Sequence, residues 1–405
     1  MNKIKVGIVG LGARGQGNLK TILCIEDIEI TALCDLYEDR CDEGCKIVEE
    51  KGMKTPFKSV DYHDIISRDD VDVVCVFSSW QSHIEVAIEA MKAGKTVGLE
   101  VGGASSVEEC WNLVKTYEET KSPIMFLENC CFGKNELLVR NIVRSGLFGD
   151  IVYCHGAYAH DLREEVTGGK ENRHYRLEHY LTRNCENYPT HELGPIAKIL
   201  DINRGNVMTS LVSVASKSAG LKRYVEDRKD TIKNKDLIGQ EFAQADIVDT
   251  LITCANGETI SIRLDTTLPR SYSREFTVRG TKGMYEENTN SVFLDGEEED
   301  FEAARHYKKV FDNAVSYEEK YLPDLWKTIT QEQMDKGHGG MDYFSFNAFF
   351  DAVRKNSPMP IDVYDAASWM CITALSEKSI KNGNVPVEIP DFTNGAWKTR
   401  ERLDV

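Results

Sequence analysis

The sequence predicts an α/β protein of two domains: a doubly wound parallel sheet, followed by an α+β domain with a large, mostly antiparallel sheet. Three observations lead to this fold class. In the first third of the chain, apolar strand segments alternate with amphipathic helical segments, which is typical of a parallel sheet covered by helices. A G-x-G-x-x-G sequence at residues 10–15 directly follows the first strand. After residue 151, strand segments succeed one another without intervening helices, which indicates antiparallel pairing.

The N-terminal domain is predicted to span residues 1–129. Apolar runs predict its strands, and periodic apolar positions between them predict its helices. The run at residues 71–77 is almost continuously apolar, as expected for a parallel strand that is buried on both faces. The predicted strands are residues 3–9, 28–34, 71–77, 96–99 and 124–127, and the predicted helices are residues 15–24, 37–51, 82–93 and 107–120.

The C-terminal domain is predicted to span residues 130–405. Asn256-Gly257 is a hairpin signal between two strands, residues 285–296 suggest a second hairpin, and the acidic run at residues 297–300 is expected to form a solvated turn. Aromatic residues at near-helical spacing in 343–350 indicate core or subunit interface. The predicted strands are residues 151–158, 207–215, 247–254, 259–264 and 275–279, and the predicted helices are residues 136–145, 340–355 and 362–382.

Composition and charge exclude several classes of protein. The 405 residues include 66 acidic and 49 basic side chains, which gives a formal net charge of −17. A nucleic-acid partner requires a basic surface, so none is expected. No apolar stretch is long enough to span a membrane, and the N-terminus lacks the pattern of a signal peptide, so we expect a cytoplasmic protein. The twelve scattered cysteines predict buried thiols rather than disulfides, and no metal site is predicted.

The glycine-rich sequence at residues 10–15 predicts a dinucleotide site in a Rossmann domain. It follows a strand, opens a helix, and is followed 20 residues later by Asp35 at the end of the second strand. Gly10 permits a tight turn, and Gly12 lets backbone amides approach a pyrophosphate at the helix N-terminus, with Gly15 completing the pattern. Asp35 can accept hydrogen bonds from ribose hydroxyls and would repel a 2′-phosphate. The predicted cofactor is therefore NAD rather than NADP.

Polar residues follow three further strands of this domain. Trp80-Gln81-Ser82-His83 comes after the central strand, Glu100 after the next, and Asn129 after the last. The carboxyl ends of parallel strands face the cofactor crevice, so these residues suggest a cofactor wall. For single residues a simpler structural role stays open, since Ser82 can cap the next helix and His83 can be a core histidine.

These features resemble the glucose–fructose oxidoreductase/inositol dehydrogenase family of NAD(P)-dependent sugar enzymes. That family usually has Glu-Lys-Pro where this sequence has Glu100-Val101-Gly102. The missing lysine normally assists proton transfer at the reacting hydroxyl, which sets this chain apart from a plain dehydrogenase.

The second half of the sequence is similar to glycoside hydrolase family 109, the NAD-dependent α-N-acetylgalactosaminidases, which also lack the lysine. Five ordered motifs carry the resemblance, and they span more than half of the chain. The motifs start at Leu127 (LENCC), Gly156 (GAYAHDLR), Asn187 (NYPTHELGP), Pro269 (PRSYSR) and Gly337 (GHGGMDY). From its composition alone, the Gly-His-Gly-Gly part of the last motif can equally be a flexible loop.

The resemblance implies two sets of site residues. One set would contact NAD, together with the glycine loop, and the other would line a sugar site. The implied NAD contacts are Ala13, Arg14, Asp35, Trp80, Gln81, Ser82, His83, Glu100, Val101, Asn129 and Tyr188. The implied sugar-site residues are Tyr158, Arg176, Tyr188, Pro189, Thr190, His191 and Tyr272.

The function that this resemblance implies is glycoside hydrolysis through transient oxidation of the sugar at C3, elimination of the C1 substituent, and addition of water. Such a route needs a group that takes the C3 hydroxyl proton, and His191 is the candidate because imidazole exchanges protons near neutral pH. Tyr158, Tyr188 and Tyr272 are candidates for the C2 acid/base and for the donor to the leaving oxygen, with their roles undivided. As a lone histidine before a helix, His191 can also be a cap or a core group.

Two alternative functions remain open at this stage. The first is an NAD-dependent sugar or glycoside oxidoreductase that releases a keto sugar, and the second is a non-catalytic NAD-binding sensor. The expected partner is a small sugar or glycoside substrate, and a homo-oligomer is expected because a large sheet exposes one face.

Overall fold

The computed structural model of the chain describes residues 3–296 and 310–405, so the predicted acidic turn at residues 297–300 lies outside the described residues. The chain forms two compact units. The first comprises Met1–Phe132, Ile329–Ala367 and Leu403–Val405, and the second comprises Gly133–Thr328 and Ser368–Arg402. The predicted fold class is confirmed: a parallel Rossmann sheet comes first, and a mixed, mostly antiparallel sheet with helices follows.

The sheet of the first unit is parallel, with six strands in its described part in the order β3-β2-β1-β4-β5-β6. Every residue of β4 is buried, in line with its apolar sequence. The strands are β1 (Ile4–Val9), β2 (Ile28–Cys34), β3 (Phe57–Ser59), β4 (Val73–Val76), β5 (Thr96–Leu99) and β6 (Ile124–Phe126). The helices that lie between them are α1 (Ala13–Ile22), α2 (Glu38–Glu50), α3 (Tyr62–Ile66), α4 (His83–Lys92) and α5 (Val107–Thr120).

The second unit contains a mixed sheet with the strand order β13-β12-β11-β7-β10-β9-β8-β14 in its described part. Only the pairing of β7 with β10 is parallel among these strands. The strands are β7 (Ile151–Ala159), β8 (Met208–Ala215), β9 (Ile247–Cys254), β10 (Thr259–Asp265), β11 (Thr277–Gly280), β12 (Gly283–Glu286), β13 (Ser291–Leu294) and β14 (Val387–Glu388). Both predicted hairpins are present, as the β9–β10 and β12–β13 pairs.

The remaining helices follow the N-terminal domain in sequence. They are α6 (Lys134–Arg144), α7 (Arg163–Thr167), α8 (Arg176–Thr182), α9 (Thr190–Ile199), α10 (Gly220–Asp227), α11 (Glu318–Tyr321), α12 (Asp324–Lys327), α13 (Gln331–Met334), α14 (Met341–Lys355) and α15 (Val363–Lys381). Short 3₁₀ helices lie at Asn129–Phe132, Lys235–Leu237, Glu287–Thr289, Asn313–Tyr317, His338–Gly340 and Ala396–Lys398. Within the described ranges, no helix has both the length and the apolar character needed to cross a membrane.

Helix α14 belongs to the first unit, although it lies about two hundred residues beyond β6 in sequence. Its phenylalanines explain why, because Phe346, Phe349 and Phe350 are buried. The ring of Phe346 lies 6.0 Å from that of Phe77, and a Cβ at Gly98 of β5 would lie 3.1 Å from Phe349. These aromatic residues are therefore core. The compact units are not continuous in sequence, and the division at residues 129/130 stays a prediction.

Helix α9 packs closely on β7 in the second unit. A Cβ at Gly156 of β7 would lie 2.8 Å from the Cβ of Glu192, so a side chain at that position would push the helix away. Glycine thus sets the distance between the strand that carries Tyr158 and the helix that carries His191. All twelve cysteines are free thiols, and eleven of them are buried, as the sequence predicts.

Candidate functional site

The carboxyl ends of four strands of the parallel sheet lie along one edge. Val76 of β4 pairs with Val9 of β1 on one side and with Leu99 of β5 on the other. Leu99 in turn pairs with Phe126 at the end of β6. The residues that follow these strands therefore share the edge where doubly wound sheets bind ligands.

The loop between β1 and α1 has the tight geometry that its glycines predict. Gly10 adopts a φ of 99°, and a Cβ there would lie 2.4 Å from the backbone of Phe77. A Cβ at Gly15 would lie 2.1 Å from the carbonyl oxygen of Gly10. At Gly12, the N-cap of α1, the nearest atom to such a Cβ is 3.6 Å away, on Arg40. The space beside Gly12 and the first amides of α1 fits a pyrophosphate.

Asp35 follows β2 and is buried. Its carboxylate accepts hydrogen bonds from the backbone N–H of Leu11 at 2.7 Å and of Tyr37 at 3.0 Å, so it is anchored to the glycine loop. Arg40 lies beside it, with Nη1 3.7 Å from Oδ1. Arg40 lies outside the motifs that predict the site, although an arginine at the start of the helix after an acidic β2 terminus is a readable signal.

Trp80 is buried against the loop that follows β5. A Cβ at Gly102 would lie 2.3 Å from the Trp80 ring, so only glycine allows this contact. Val101 and His83 are also buried, whereas Gln81 is exposed. Ser82 occupies the N-cap position of α4, but its hydroxyl contacts Ser78 and Ser79 instead of a helix amide. Ser82 is thus the N-cap residue of α4, but its side chain does not hydrogen-bond to a helix amide.

Arg14, Glu100 and Asn129 are joined by contacts that reach α14. Arg14 Nε donates to Glu100 Oε2 at 3.0 Å, and Arg14 also makes two hydrogen bonds to the Asp342 carboxylate. Asn129 Nδ2 donates to Asp342 Oδ1 at 2.6 Å. Asn129 Oδ1 is buried, and in residues 3–296 and 310–405 no group hydrogen-bonds to it. A buried amide oxygen of this kind fits a donor of a bound cofactor.

The second unit brings together four of the predicted sugar-site residues. Tyr188 Oη lies 3.2 Å from His191 Nε2, and the rings of Tyr158 and Tyr188 are 4.6 Å apart. The Arg176 guanidinium lies over the Tyr188 ring at 5.0 Å and over the Tyr158 ring at 5.9 Å. All four side chains are buried. One histidine, two phenols and one guanidinium thus form a compact cluster that can exchange protons and stabilise an anion.

The electrostatics of this cluster favour a fixed positive charge. Burial opposes the charge of Arg176, but Tyr158 and Glu165 outweigh it and raise the pKa of the guanidinium above its usual value. Glu165 lies 3.1 Å from Arg176 Nε. Arg176 therefore stays cationic beside the two phenols.

Pro189 and Thr190 place His191 at the start of α9. Pro189 is the N-cap residue and Thr190 the first residue of the helix, so His191 sits in the first turn. Thr190 is fully buried, and within the described part of the chain its hydroxyl makes no hydrogen bond. That hydroxyl is a candidate for contact with a ligand.

Tyr272 is half exposed and lies apart from the tyrosine pair, and His160 connects them. The His160 ring is 5.3 Å from the Tyr272 ring, and its Nδ1 lies 3.5 Å from Tyr158 Oη. His160 belongs to one of the sequence motifs but was not assigned a role there. Its position depends on the bridge between Ala159 and Ser273, which sequence does not reveal.

Glu186 is a further residue to which no sequence motif gave a role. It is fully buried, and its Oε1 accepts a hydrogen bond from the backbone N–H of Tyr188 at 3.3 Å. Burial raises the pKa of this carboxyl group to about 8, so it is mostly protonated at neutral pH. It supports the backbone immediately before the Tyr-Pro-Thr-His segment.

Comparison with known proteins identifies a family for each half of the chain. Residues 4–127 match the family "Oxidoreductase family, NAD-binding Rossmann fold", and residues 132–399 match "Glycosyl hydrolase 109, C-terminal domain". A glycosyl hydrolase family 109 protein of Solibacter usitatus is 37% identical, over 98% of this chain and 90% of the relative. An α-N-acetylgalactosaminidase of Tannerella forsythia is 35% identical, over 98% and 88%.

Solved structures show the same fold. Levoglucosan dehydrogenase in complex with NADH and levoglucosan superposes with a TM-score of 0.70 at 18% identity, covering 96% of this chain and all of that one. An Agrobacterium radiobacter oxidoreductase in complex with NAD⁺ gives 0.68 at 15% identity, covering 96% and 99%.

Fold and relatives together define an NAD-dependent enzyme, either a glycosidase or a closely related sugar oxidoreductase. NAD is its cofactor. The chain belongs to glycosyl hydrolase family 109.

Proposed function

We propose that this protein is an NAD-dependent glycoside hydrolase of the α-N-acetylgalactosaminidase type that acts by transient oxidation at C3, elimination, and addition of water. The observation that carries this proposal is the buried cluster of His191, Tyr188, Tyr158 and Arg176 in the glycosyl hydrolase 109 domain. The substrate class follows from the names of relatives such as that of Tannerella forsythia.

NAD, when bound, supplies the hydride acceptor for C3 and returns the hydride at the end of the cycle. The protein must take the proton of the C3 hydroxyl as the carbonyl forms. His191 suits this step because its ring is held by the Tyr188 hydroxyl at Nε2 and is buried away from bulk water. A positioned base of this kind is worth roughly 10²–10⁴-fold in rate.

Removal of the C2 proton needs a second base, and departure of the C1 oxygen needs a donor. Arg176 lies over both Tyr158 and Tyr188, so its positive charge stabilises a phenolate at either ring during turnover. Tyr272 is half exposed and suits contact with the leaving part of the glycoside. Water addition at C1 reverses the elimination, so the same groups return the protons.

A sugar oxidoreductase is the second candidate function. The observation in its favour is the fold that the chain shares with levoglucosan dehydrogenase. Such an enzyme would carry out the same C3 oxidation and release a keto sugar without elimination. The two functions therefore differ in products and in the fate of the reducing equivalents.

One experiment separates these reactions. The enzyme is incubated in D₂O with an aryl α-N-acetylgalactosaminide and about one equivalent of NAD per site, and the sugar product is examined by NMR. The proposal expects many turnovers, no net NADH, and deuterium at C2 of the released sugar. Retention of the C2 proton together with one NADH per site and no further turnover would support the oxidoreductase instead. Hydrolysis without any requirement for NAD would contradict both.

A further inference from the structure

We propose that Asp342 is a positioning residue of the NAD site, which sets the orientation of Asn129 and Arg14. The inference rests on the NAD contacts proposed for the first unit. Asp342 is the second residue of α14, and its own sequence motif did not identify it as part of a cofactor site.

The Asp342 carboxylate contacts two residues that are expected to touch NAD. Its Oδ1 accepts from Asn129 Nδ2 at 2.6 Å and from Arg14 Nη2 at 3.0 Å. Its Oδ2 accepts from Arg14 Nη1 at 2.5 Å and lies 2.9 Å from His338 Nδ1. The Arg14 contact is bidentate, which fixes the plane of the guanidinium as well as its position.

The turn before α14 is built around this carboxylate. Gly337 adopts a φ of 72°, and a Cβ there would lie 2.1 Å from Asp342 Oδ2. Asp342 is 2% exposed, and His338 and Arg14 cover it. The Gly-His-Gly-Gly segment, which by composition can be a flexible loop, thus encloses a buried ionic group.

The charge state of Asp342 supports this assignment. Burial raises the pKa of the carboxyl group, but the hydrogen bond with His338 and the charge of Arg14 outweigh burial and hold the pKa well below its usual value. The group is therefore a carboxylate over the whole working pH range, and a carboxylate can only accept hydrogen bonds.

That acceptor-only character determines how Asn129 is oriented. The amide must turn its NH₂ group toward Asp342, which leaves Oδ1 on the other side, buried and without a hydrogen bond in the described residues. A neutral amide in place of Asp342 could donate as well as accept, so Asn129 would no longer have one preferred orientation. Asp342 thus keeps an acceptor available at the end of β6, on the edge of the sheet where a dinucleotide binds.

The test is the affinity for NAD, measured by titration calorimetry on the full chain without substrate. Asp342→Asn removes the charge and keeps the shape, and we expect NAD binding to weaken roughly ten- to a hundredfold, as is usual for lost hydrogen bonds to a buried charged group. Asp351→Asn is the matched control, because Asp351 lies on the same helix, is half exposed, and pairs with its neighbours Arg354 and Lys355. Its affinity for NAD should match that of the wild type.

Two further measurements distinguish positioning from general stability. Arg14→Lys keeps the charge but cannot form the two parallel hydrogen bonds, so it should also weaken NAD binding, and the double variant should lose less than the product of the two single effects. Arg14→Lys also tests the idea if Asp342→Asn fails to fold. The inference would be overturned if a folded Asp342→Asn protein bound NAD as tightly as the wild type or more tightly, including the case in which only its melting temperature was lower. If the wild type itself fails to bind NAD, the proposed NAD contacts are wrong, and the role of Asp342 is wrong with them.

Discussion

Cofactor choice at the end of β2 should depend on the opposed charges of Asp35 and Arg40. Asp35 is buried and anchored by two backbone amides, and Arg40 Nη1 lies 3.7 Å from it. The proposed perturbation is Asp35→Asn, which removes the negative charge while an amide oxygen can still accept from the Leu11 N–H. It therefore removes the charge and keeps one of the two backbone hydrogen bonds, while the bond from the Tyr37 N–H is lost.

The magnitude follows from Coulomb's law. Two like unit charges about 4 Å apart repel by about 4 kcal/mol at an effective dielectric constant of about 20, which corresponds to roughly a thousandfold in affinity. Arg40 offsets part of this repulsion in the wild type. We therefore expect the wild type to prefer NAD to NADP, and Asp35→Asn to tighten NADP binding by roughly ten- to a hundredfold.

Arg40 should supply the attraction once the aspartate is neutralised. The double variant Asp35→Asn/Arg40→Ala should lose most of the gain in NADP affinity, whereas its NAD affinity should stay close to that of Asp35→Asn. Glu43→Ala is the control, since Glu43 is an exposed acid on the same helix that pairs with Lys46. Calorimetric titration of all variants with both cofactors provides the measurement.

Two results would refute this reasoning. A wild type that binds NADP as tightly as NAD would show that Asp35 does not select the cofactor. An NADP affinity in the Asp35→Asn background that is indifferent to Arg40 would show that the arginine does not reach the 2′-phosphate.

Three further predictions concern the second unit. His191→Ala should lower kcat roughly 10²–10⁴-fold with unchanged NAD affinity, and near-native turnover would remove it from the mechanism. Glu186 has a folded pKa of about 8 against an ordinary value of 4.5, so its contribution to stability is complete below about pH 4.5 and is lost as the pH rises through about 8. In urea unfolding from pH 5 to 9, the free energy of unfolding of Glu186→Gln should therefore rise relative to that of the wild type as the pH rises. Glu171→Gln, at an exposed position, is the control. Parallel pH profiles of Glu186→Gln and the wild type would contradict the assignment. Val214 and Leu251 are exposed on one face of the sheet. If that face mediates the expected self-association, replacing both residues with lysine should lower the molecular mass measured by light scattering. An unchanged mass would exclude this face as the interface.

Local patterns predicted the fold well, because the apolar pattern of each strand segment already indicates which of its residues are buried. The buried run of β4 and the hairpin between β9 and β10 are examples. Strand β3 (Phe57–Ser59) was missed, since it is three residues long, has no buried residue and pairs only at the sheet edge. Helix α14 was predicted, but its place in the first unit depends on packing between distant phenylalanines, which sequence order does not show.

The candidate site divides in the same way. The glycine loop and Asp35 were readable because their spacing reflects one βαβ unit. The contact between Arg14 and Asp342 could not be predicted, because the two residues lie 328 positions apart in sequence. His160 and Glu186 each contact a residue of the tyrosine cluster through local geometry that composition does not reveal. Motifs thus identified residues that are expected to touch ligands, and they did not identify the residues that contact and orient them.

The loop after β5 bears on which residues can move protons. Position 101, where related sugar oxidoreductases usually have a lysine, is a buried valine that cannot exchange a proton. Gly102 next to it lets the Trp80 ring lie against the backbone. We infer that proton transfer at the sugar falls to imidazole and phenol groups, of which His191, Tyr188 and Tyr158 form the buried cluster. On that proposal, Val101→Lys would add a charge next to Gly102 without restoring activity, because proton transfer would still depend on the imidazole and phenol groups.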